Sequence, residues 1–230
     1  MIIINYRKQD ISANQIFYQF IFELKTLVSI ANPTPTHIFF RKMDNKGKIL
    51  RLYTQNIDGL ETKVGLDERV IQLHGNLEMV VCTVCRNTLP FSNDVLISFA
   101  KGKPPSCLEC IKGAEDRQAA GKRKRSSQGI LRPDIVLYNE EHPKAEMIWD
   151  HFVDDLHKKP DLLIVIGTSL KIPGIKRMIT ITAGYVKRKG GLCIYIDRNV
   201  LPTKSSWRNV FDYHLLGDSD DVTSLLGKDI

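Results

Sequence analysis

Residues 51–85 read RLYTQNIDGLETKVGLDERVIQLHGNLEMVVCTVC, and the rest of the chain is interpreted outward from this stretch. It contains three short apolar runs that are typical of β-strands, and each run stops at polar groups. The first ends in TQNIDG at 54–59, the second in His74-Gly75, and the third in Cys82-x-x-Cys85. Because open α/β sheets bind ligands at the ends of their strands, we predict functional groups at all three positions.

The composition is that of a globular protein. The chain has 230 residues, 43% of them hydrophobic, which suffices for one good core and a small additional module. No apolar run approaches the roughly 20 residues that cross a bilayer. The first residues, MIIINYRKQD, lack the order of regions found in a signal peptide. We therefore expect an intracellular protein with no membrane partner.

The apolar runs in the second half of the chain predict an α/β fold. Residues 161–166 and 192–196 are nearly continuous apolar segments, as in parallel strands that are buried on both faces. Residues 175–189 between them have the spacing of a crossover helix, as do 144–156 earlier in the chain. Strands are also predicted at 49–53 and 134–138.

Two helices are predicted near the start of the chain. Ser12 and Gln15 have the spacing of a capping box before an amphipathic helix that continues to about Ile30. Thr34 is predicted to cap a second short helix, with Pro35 at its first position.

Four of the five cysteines predict a metal site. Cys82 and Cys85 form one C-x-x-C pair, and Cys107 and Cys110 form another after 21 intervening residues. Two such pairs suit tetrahedral zinc, although this separation is slightly longer than the usual zinc-ribbon range of about 15–20 residues. Four thiolates fill the coordination sphere, so we expect structural zinc. Cys193, inside an apolar run, is predicted to be a core residue.

A second set of polar residues has the arrangement found in dinucleotide-binding sites. Gly167, Thr168 and Ser169 come directly after one predicted parallel strand, and Asp197 ends the next. Amide and hydroxyl groups there can face phosphate, and an acidic side chain can bind ribose. The chain has no G-x-G-x-x-G motif at this position, so an ordinary strand-to-helix turn remains an alternative.

His74 is a candidate general base. A single histidine is more often a packed or surface residue, but this one follows a strand and precedes a glycine that permits close approach. An imidazole can take a proton from a hydroxyl at neutral pH. Gln55, Asn56 and Asp58 are interpreted either as turn formers or as hydrogen-bonding groups for a ligand.

The net charge of +7 includes a basic run, GKRKRSS at 121–127. Such a run is typical of a nuclear-import signal or of a phosphate-binding patch, and it is also compatible with a solvated loop. A basic protein suits an acidic environment such as chromatin.

Taken together, these segments resemble the sirtuin family of NAD-dependent protein-lysine deacylases. Besides the two cysteine pairs, the matching stretches are ANPTPTHIFF at 31–40, RLYTQNIDGLE at 51–61, QLHG at 72–75, LRPDIVLYNE at 131–140, DLLIVIGTSLKI at 161–172 and LGDSDDV at 216–222. The LRPDIVLY-x-E-x-HP form and the basic insert are most similar to the fungal nuclear branch that acts on histone H3. The resemblance implies a Rossmann-like domain, residues 1–75 and 133–230. Residues 76–132 contain four cysteines, many Lys, Gly and Ser residues and few long apolar runs, and we interpret them as an inserted zinc-ribbon module with a flexible basic loop near 112–129.

The resemblance also implies roles for individual residues. His74 would deprotonate a ribose hydroxyl of the co-substrate NAD, while Gln55 and Asn56 would contact the nicotinamide ribose and Asp58 the carboxamide. Gly167, Thr168 and Ser169 would bind phosphate and ribose of the cofactor. Asp197, where the family usually has Asn, would contact the adenine ribose. Ser219, where the family commonly has Cys, would lie beside the adenine.

Substrate contacts are implied as well. Val136 and Tyr138 would line the acetyl-lysine tunnel, Glu140 would belong to the same substrate-binding segment, and Asn139 replaces the usual Gly. The strand there would pair with the backbone of an acetylated protein, such as a histone, by β-addition. The expected partners are acetylated histone and chromatin, and the expected location is the nucleus.

The sequence departs from the family pattern at one place, and this departure raises an alternative to an active deacetylase. A Gly-Ala-Gly loop and an Ile-Pro-Asp-Phe-Arg segment usually precede the first matching helix, and neither is found in this sequence. We therefore expect a sheet that lacks its first strand and Gly-rich loop, with weak or absent NAD turnover. The alternative is an inactive zinc-containing scaffold or chromatin-binding protein. A third hypothesis, a zinc-ribbon protein that binds nucleic acid, rests on the cysteine pairs and the basic loop alone. It would leave the TQNID, HG and GTSL motifs unexplained.

Overall fold

The computed structural model describes residues 11–123, 128–201 and 206–228, and the chain divides into two compact units. The module unit comprises residues up to 31, 54–59 and 72–142, and the sheet unit comprises 32–53, 60–71 and the residues from 143 onward. These units divide the chain at other positions than the predicted domains, whose boundaries stay a prediction.

Helices and strands alternate along most of the described chain. The helices are α1 (Ile11–Ile30), α2 (Pro35–Asn45), α3 (Leu60–Lys63), α4 (Asn93–Ala100), α5 (Leu108–Ala119), α6 (Ala145–His157), α7 (Pro173–Arg188) and α8 (Ser219–Leu226), with a 3-10 turn at Ser206–Asn209. The strands are β1 (Leu52–Thr54), β2 (Val70–Gln72), β3 (Gly75–Cys82), β4 (Thr88–Pro90), β5 (Leu131–Ile135), β6 (Leu162–Ile166), β7 (Leu192–Asp197) and β8 (Tyr213–Leu216). Within the described ranges, no helix combines the length and hydropathy that crossing a membrane requires.

The sheet unit contains the predicted parallel sheet. Its strand order is β6-β7-β8, and both neighbouring pairs run parallel. Helix α7 connects β6 to β7 and buries an apolar face made by Ile179, Ala183 and Val186 in the same core cluster as Cys193 and Tyr195. The nearly continuous apolar runs therefore form adjacent parallel strands, and the predicted α/β fold is confirmed.

The module unit is built on an antiparallel sheet of order β4-β3-β5. Leu77 and Val80 of β3 are fully buried in its core. Helix α1 contributes to the same core, because the ring of Tyr18 lies 4.7 Å from that of Phe99 in α4. The apolar face of α1 therefore packs against the segment of the chain that carries the four paired cysteines.

Several predicted boundaries are confirmed and others are wrong. Thr34 is the N-cap of α2 with Pro35 at its first turn, as predicted. Ser12 lies inside α1 and is therefore not its cap. Strand β1 is shorter than predicted, and residues 112–119 of the expected flexible loop belong to α5, which begins directly after Cys107.

Strand β5 also begins earlier than predicted. It starts at Leu131, which pairs with Cys82 of β3, and ends at Ile135, which pairs with Gly75. The sequence pattern predicted 134–138 because the apolar run is strongest there. The pairing partners of β3 instead select the preceding residues, and Val136 and Tyr138 lie beyond the strand.

A buried carboxylate anchors β1 to α6 in the sheet unit. Asp155 is 5% exposed and accepts hydrogen bonds from Arg51 Nε at 2.9 Å, from the Tyr53 hydroxyl at 2.7 Å and from Lys158 Nζ at 3.1 Å. Burial alone would raise the pKa of Asp155, but hydrogen bonds from Arg51, Tyr53 and Lys158 hold it below its ordinary value. The network fixes the strand that leads into the 54–59 segment.

Replacing Tyr53 with phenylalanine is expected to lower the free energy of unfolding by about 1.5–3 kcal/mol, since it removes a hydrogen bond to a charged group. The matched control is Tyr138→Phe, because Tyr138 is 64% exposed, and its expected change is within about 0.5 kcal/mol. Urea unfolding of both variants at neutral pH measures the difference. Equal losses for the two variants would contradict the anchoring role of Asp155.

The same comparison has an expected pH dependence. A carboxyl with a depressed folded-state pKa contributes stability above its unfolded pKa of about 3.9, and this contribution is lost as the pH falls through the folded-state pKa. The difference between the wild-type protein and Tyr53→Phe should therefore shrink below about pH 4. A difference that stays constant from pH 7 to pH 3 would assign the loss to packing alone.

Candidate active site and metal centre

A cleft of about 430 Å³ in the module unit brings together the predicted catalytic residue and three of the predicted cofactor-binding residues. It lies among α1, the segment after β1, the turn before β3 and the end of β5. The residues that line it are Leu24, Val28, Gln55, Asn56, Ile57, Asp58, His74, Ile135 and Val136. Amide, carboxylate and imidazole groups thus share one apolar-walled depression.

The backbone around His74 is held from both sides. His74 lies in the turn between β2 and β3, where the N–H of Leu73 donates to the Thr54 carbonyl at 2.8 Å. On the other side, the N–H of Val136 donates to the His74 carbonyl at 3.0 Å. The imidazole therefore belongs to a turn that is tied to both neighbouring segments of the cleft.

Gly75 has the close approach that its position predicted, and the neighbour is the protein backbone. Its φ is +75°, and a Cβ at this position would collide with the carbonyl oxygen of Asp134 in β5. Only glycine fits this combination of left-handed backbone and close strand contact. The residue is thus required for placing the His74 turn against β5.

The hydrogen bond at Nδ1 determines the tautomer of His74. Nδ1 lies 3.1 Å from the backbone carbonyl oxygen of Gln55. A carbonyl oxygen can only accept, so Nδ1 carries the hydrogen and Nε2 carries the lone pair of the neutral ring. The half-buried imidazole therefore has the form that a general base requires, with Nε2 as the proton acceptor.

The 55–58 segment is shaped by hydrogen bonds to its backbone. The N–H of Asn56 donates to Thr54 Oγ1 at 3.1 Å, and the carbonyl of Ile57 accepts from the N–H of Leu77 at 3.2 Å. These bonds shape the bend that follows β1. The bend places Gln55, Asn56 and Asp58 along the cleft, so shaping the backbone and facing a ligand are compatible roles for this segment.

The predicted nucleotide-binding residues of the sheet unit share one edge of its sheet. Gly167 to Ser169 follow β6, Asp197 ends β7, and Ser219 begins α8 after β8. The hydroxyl of Tyr195 donates to the Thr168 carbonyl at 2.8 Å and so anchors the first of these turns. These are the carboxyl ends of three adjacent parallel strands, the usual position of a ligand in an open α/β sheet.

Asp197 has one oxygen engaged locally. Its Oδ1 accepts from the backbone N–H of Asn199 at 2.7 Å and from the Asn199 side chain at 3.1 Å. These bonds close the turn after β7 and orient the carboxylate at the strand end.

The four predicted zinc ligands lie together. The sulfur atoms of Cys82, Cys85, Cys107 and Cys110 are all within 4.8 Å of one another. The distances are 3.6 Å between Cys82 and Cys110 and 3.7 Å between Cys85 and Cys107. Tetrahedral zinc with Zn–S bonds of about 2.3 Å requires sulfur atoms about 3.8 Å apart. The cluster therefore fits a zinc ion, and its four ligands leave no position for a reacting group.

The thiols of the cluster have to lose their protons to bind a metal. Burial raises the pKa of the Cys82 thiol, but the N–H groups of Val84 and Cys85 donate to its sulfur and bring its pKa down to about 7. Burial raises the pKa of Cys107 to about 12. A bound zinc ion would displace such protons, because only thiolates coordinate it. Cys193 lies in β7, fully buried in the sheet-unit core, as predicted.

The substrate-binding segment is only partly as expected. Val136 lines the cleft, whereas Tyr138 is 64% exposed, is absent from the cleft lining and lies in a turn after β5. Asn139 has a φ of +66°, a conformation that asparagine adopts more readily than most residues. This explains how asparagine can occupy a position where the related family usually has glycine.

Sequence reasoning missed the contribution of α1 to the cleft. Leu24 and Val28 line it, and their four-residue spacing marks them as one helix face without indicating what that face covers. Of the basic run, Lys122 and Arg123 are exposed, and 124–127 lie outside the described residues.

Comparison with known proteins gives consistent matches. The model of the Sir2 family matches residues 4–174. The NAD-dependent histone deacetylase HST3 of Saccharomyces cerevisiae is 37% identical over 234 residues, covering 94% of this chain and 52% of the relative. The NAD-dependent protein deacetylase hst4 of Schizosaccharomyces pombe is 40% identical over 222 residues, covering 91% and 52%. The chain thus spans about half the length of these curated relatives.

Solved structures support the fold. A Sir2 homologue in complex with 2′-O-acetyl ADP ribose superposes with a TM-score of 0.69 at 25% identity, covering 94% of this chain and 73% of that one. A Sir2 homologue in complex with NAD superposes with a TM-score of 0.70 at 24% identity, covering 94% and 71%.

Proposed function

The chain belongs to the Sir2 family, and from this premise we propose that it carries the catalytic core of an NAD-dependent protein-lysine deacetylase that acts on histones. The observation that supports this most directly is His74, whose Nδ1–H is held by the Gln55 carbonyl in a cleft that Asn56 and Asp58 also line. The resemblance to the fungal branch of histone deacetylases agrees with the names of the relatives.

The proposed chemistry assigns the proton transfer to His74. NAD, when bound, supplies the ribose carbon that the acetyl oxygen attacks and from which nicotinamide leaves. Nε2 of His74 accepts the proton of a ribose hydroxyl, and the Gln55 carbonyl stabilises the resulting imidazolium through Nδ1–H. With water supplying the hydroxyl that remains on that ribose carbon, the lysine would leave as a free amine and the acetyl group would end on a ribose hydroxyl of ADP-ribose.

The remaining polar residues bind and orient. Gln55 and Asn56 would hold the nicotinamide ribose, and Asp58 the carboxamide. At the edge of the parallel sheet, phosphate, ribose and adenine would be bound by Gly167, Thr168, Ser169, Asp197 and Ser219. Val136, which directly follows β5 and lines the cleft with His74, would contact the acetyl-lysine.

Zinc has a structural role in this proposal. Cys82, Cys85, Cys107 and Cys110 would hold it in the module unit, where α5 begins immediately after Cys107. The ion would connect the β3 end to that helix and stabilise the unit, whereas the reaction takes place at His74.

The proposed substrate is an acetylated histone, and the proposed setting is chromatin in the nucleus. Relatives from Candida albicans and Saccharomyces cerevisiae are named NAD-dependent histone deacetylases. The net charge of +7 favours association with an acidic nucleoprotein surface.

The test is nicotinamide release from NAD in the presence of an acetylated histone H3 peptide. We expect His74→Ala to lower the rate by about 10²–10⁴-fold, the usual contribution of a general base. The control is His151→Ala, an exposed histidine on α6, which should keep the wild-type rate.

Two outcomes would contradict the proposal. Release that persists in His74→Ala would remove this residue from the mechanism. No release from the wild-type chain would instead support the reading of the chain as a zinc-containing scaffold without turnover.

A further inference from the structure

The segment that follows β5 is closed into a compact loop next to the cleft. Val136 donates its N–H to the His74 carbonyl at 3.0 Å, and both residues line the cleft. The chain then reverses, with the N–H of Glu140 donating to the Leu137 carbonyl at 3.1 Å. The left-handed backbone of Asn139 makes this reversal possible.

An arginine–carboxylate pair ties this loop to β5. Arg132 Nη1 donates to Glu140 Oε1 at 2.6 Å, and Arg132 Nη2 donates to Glu140 Oε2 at 2.7 Å. This is the two-point geometry in which a guanidinium recognises a carboxylate with a defined orientation. Arg132 lies at the start of β5 and Glu140 at the end of the loop, so the pair connects the two ends of the segment.

Both partners also bind the backbone between them. Arg132 Nη2 donates to the Ile135 carbonyl at 2.7 Å, and Glu140 Oε2 accepts from the N–H of Leu137 at 3.1 Å. These contacts bracket Val136, the residue that faces His74. The carboxylate of Glu140 is thus already engaged by three donors of its own chain.

We propose that Arg132 and Glu140 form a positioning clamp that holds the Val136–Tyr138 segment in the conformation that binds the acetylated peptide. The proposal rests on the proposed function and assigns Glu140 an indirect role in place of the direct substrate contact that the resemblance implied. Neither side chain takes part in the chemistry. Their effect is on where the backbone and Val136 meet the substrate beside His74.

The peptide KM compared with the KM for NAD separates this role from a purely structural one. The Glu140 side chain is 38% exposed, but the Arg132 side chain is only 17% exposed, so losing their contact costs some stability. Breaking the clamp should therefore lower the melting temperature moderately. Peptide binding should suffer, since a misplacement of about 1 Å in a substrate-positioning group can lower the rate about 10²-fold.

The decisive variant is Glu140→Gln, which keeps the shape of the side chain and removes its charge. We expect the KM for an acetylated histone peptide to rise about tenfold or more, with the KM for NAD unchanged and a moderate fall in the melting temperature. Arg132→Lys should act in the same direction, because lysine cannot make the two-point contact.

The matched control is Glu78→Gln. Glu78 pairs with Lys25 at 2.7 Å in the same unit and, among the described residues, forms no ion pair with Arg132 or Glu140, so its loss should leave the peptide KM unchanged. A wild-type peptide KM in Glu140→Gln, or a KM for NAD that rises as much as the peptide KM, would overturn the clamp.

Binding of a fluorescent acetylated peptide, measured by polarisation, separates this proposal from the proposed function. If the wild-type chain binds the peptide and Glu140→Gln binds it about tenfold more weakly, the clamp is supported independently of turnover. If the wild-type chain neither releases nicotinamide nor binds the peptide, the proposed function fails and the clamp fails with it. Equal binding by both, with normal turnover, overturns the clamp alone.

Discussion

Gly129→Ala should deplete the four-cysteine cluster of zinc and unfold the module around it, without altering a single ligand. A Cβ on Gly129 would collide with the Cys82 sulfur and come within 3.2 Å of the Cys110 sulfur. The two sulfur atoms would have to move apart, and the tetrahedral arrangement with sulfur atoms about 3.8 Å apart would be lost. Structural zinc supplies about 10–16 kcal/mol of folding free energy in small zinc domains, so this is the largest effect expected of any substitution considered.

The measurement is the zinc content of the purified chain by mass spectrometry, together with its thermal melting. The wild-type protein should hold one ion per chain, and Gly129→Ala should hold far less and melt earlier. Gly113→Ala is the matched control, because Gly113 lies in α5 of the same unit and nothing lies within 4 Å of its Cβ position. Full zinc occupancy in Gly129→Ala would show that the cluster does not have the described geometry.

Cysteine variants provide an independent check on the ligands. Serine at Cys82 or Cys107 should reproduce the loss of zinc, because a hydroxyl does not replace the thiolate at such a site. Serine at Cys193 should keep the full zinc content, since this residue lies in the core of the sheet unit. Loss of zinc from the Cys193 variant would contradict the assignment.

The sequence predicted the parts of the fold in which a residue pattern has one physical meaning. Nearly continuous apolar runs at 161–166 and 192–196 are compatible with strands buried on both faces, and they became β6 and β7. The paired cysteines predicted a metal cluster because thiolates at this spacing have few other uses. Thr34 followed by Pro35 predicted a helix start because both residues favour it.

The sequence was less informative where partners decide the structure. Strand β5 begins at Leu131 because Cys82 of β3 pairs there, a contact between positions 49 residues apart that no local pattern contains. Helix α5 lies in a segment whose lysines and glycine suggested a loop, yet it is held by the Cys107 turn at its start. Local polarity does not reveal such long-range constraints.

The candidate site shows the same division. The residue types of Asn56, Asp58 and His74 indicated ligand chemistry, and their strand-end positions predicted that they would meet. The tautomer of His74 depends on the backbone carbonyl of Gln55, which has no sequence signature. The engagement of Glu140 by Arg132 depends in the same way on the reversal of the chain after Val136.

Gly75→Ala should destabilise the module unit and impair the candidate active site in one step. An L-residue in the left-handed region costs about 1–2 kcal/mol, and the collision with the Asp134 carbonyl adds about 1–3 kcal/mol of overpacking. Because Gly75 directly follows His74, moving it away from β5 also strains the hydrogen bond between Val136 and the His74 carbonyl.

Gly121→Ala isolates the steric contribution of Gly75. Gly121 belongs to the same unit and has a φ of +67°, but nothing lies within 4 Å of its Cβ position. It should lose only the conformational cost of about 1–2 kcal/mol in urea unfolding and keep the wild-type rate of nicotinamide release. Gly75→Ala should lose about 2–5 kcal/mol and release nicotinamide about 10²-fold more slowly, because its imidazole is displaced. Equal losses in the two variants would mean that β5 yields to the added methyl group at little cost, and that the turn carrying His74 does not depend on the close contact between Gly75 and Asp134.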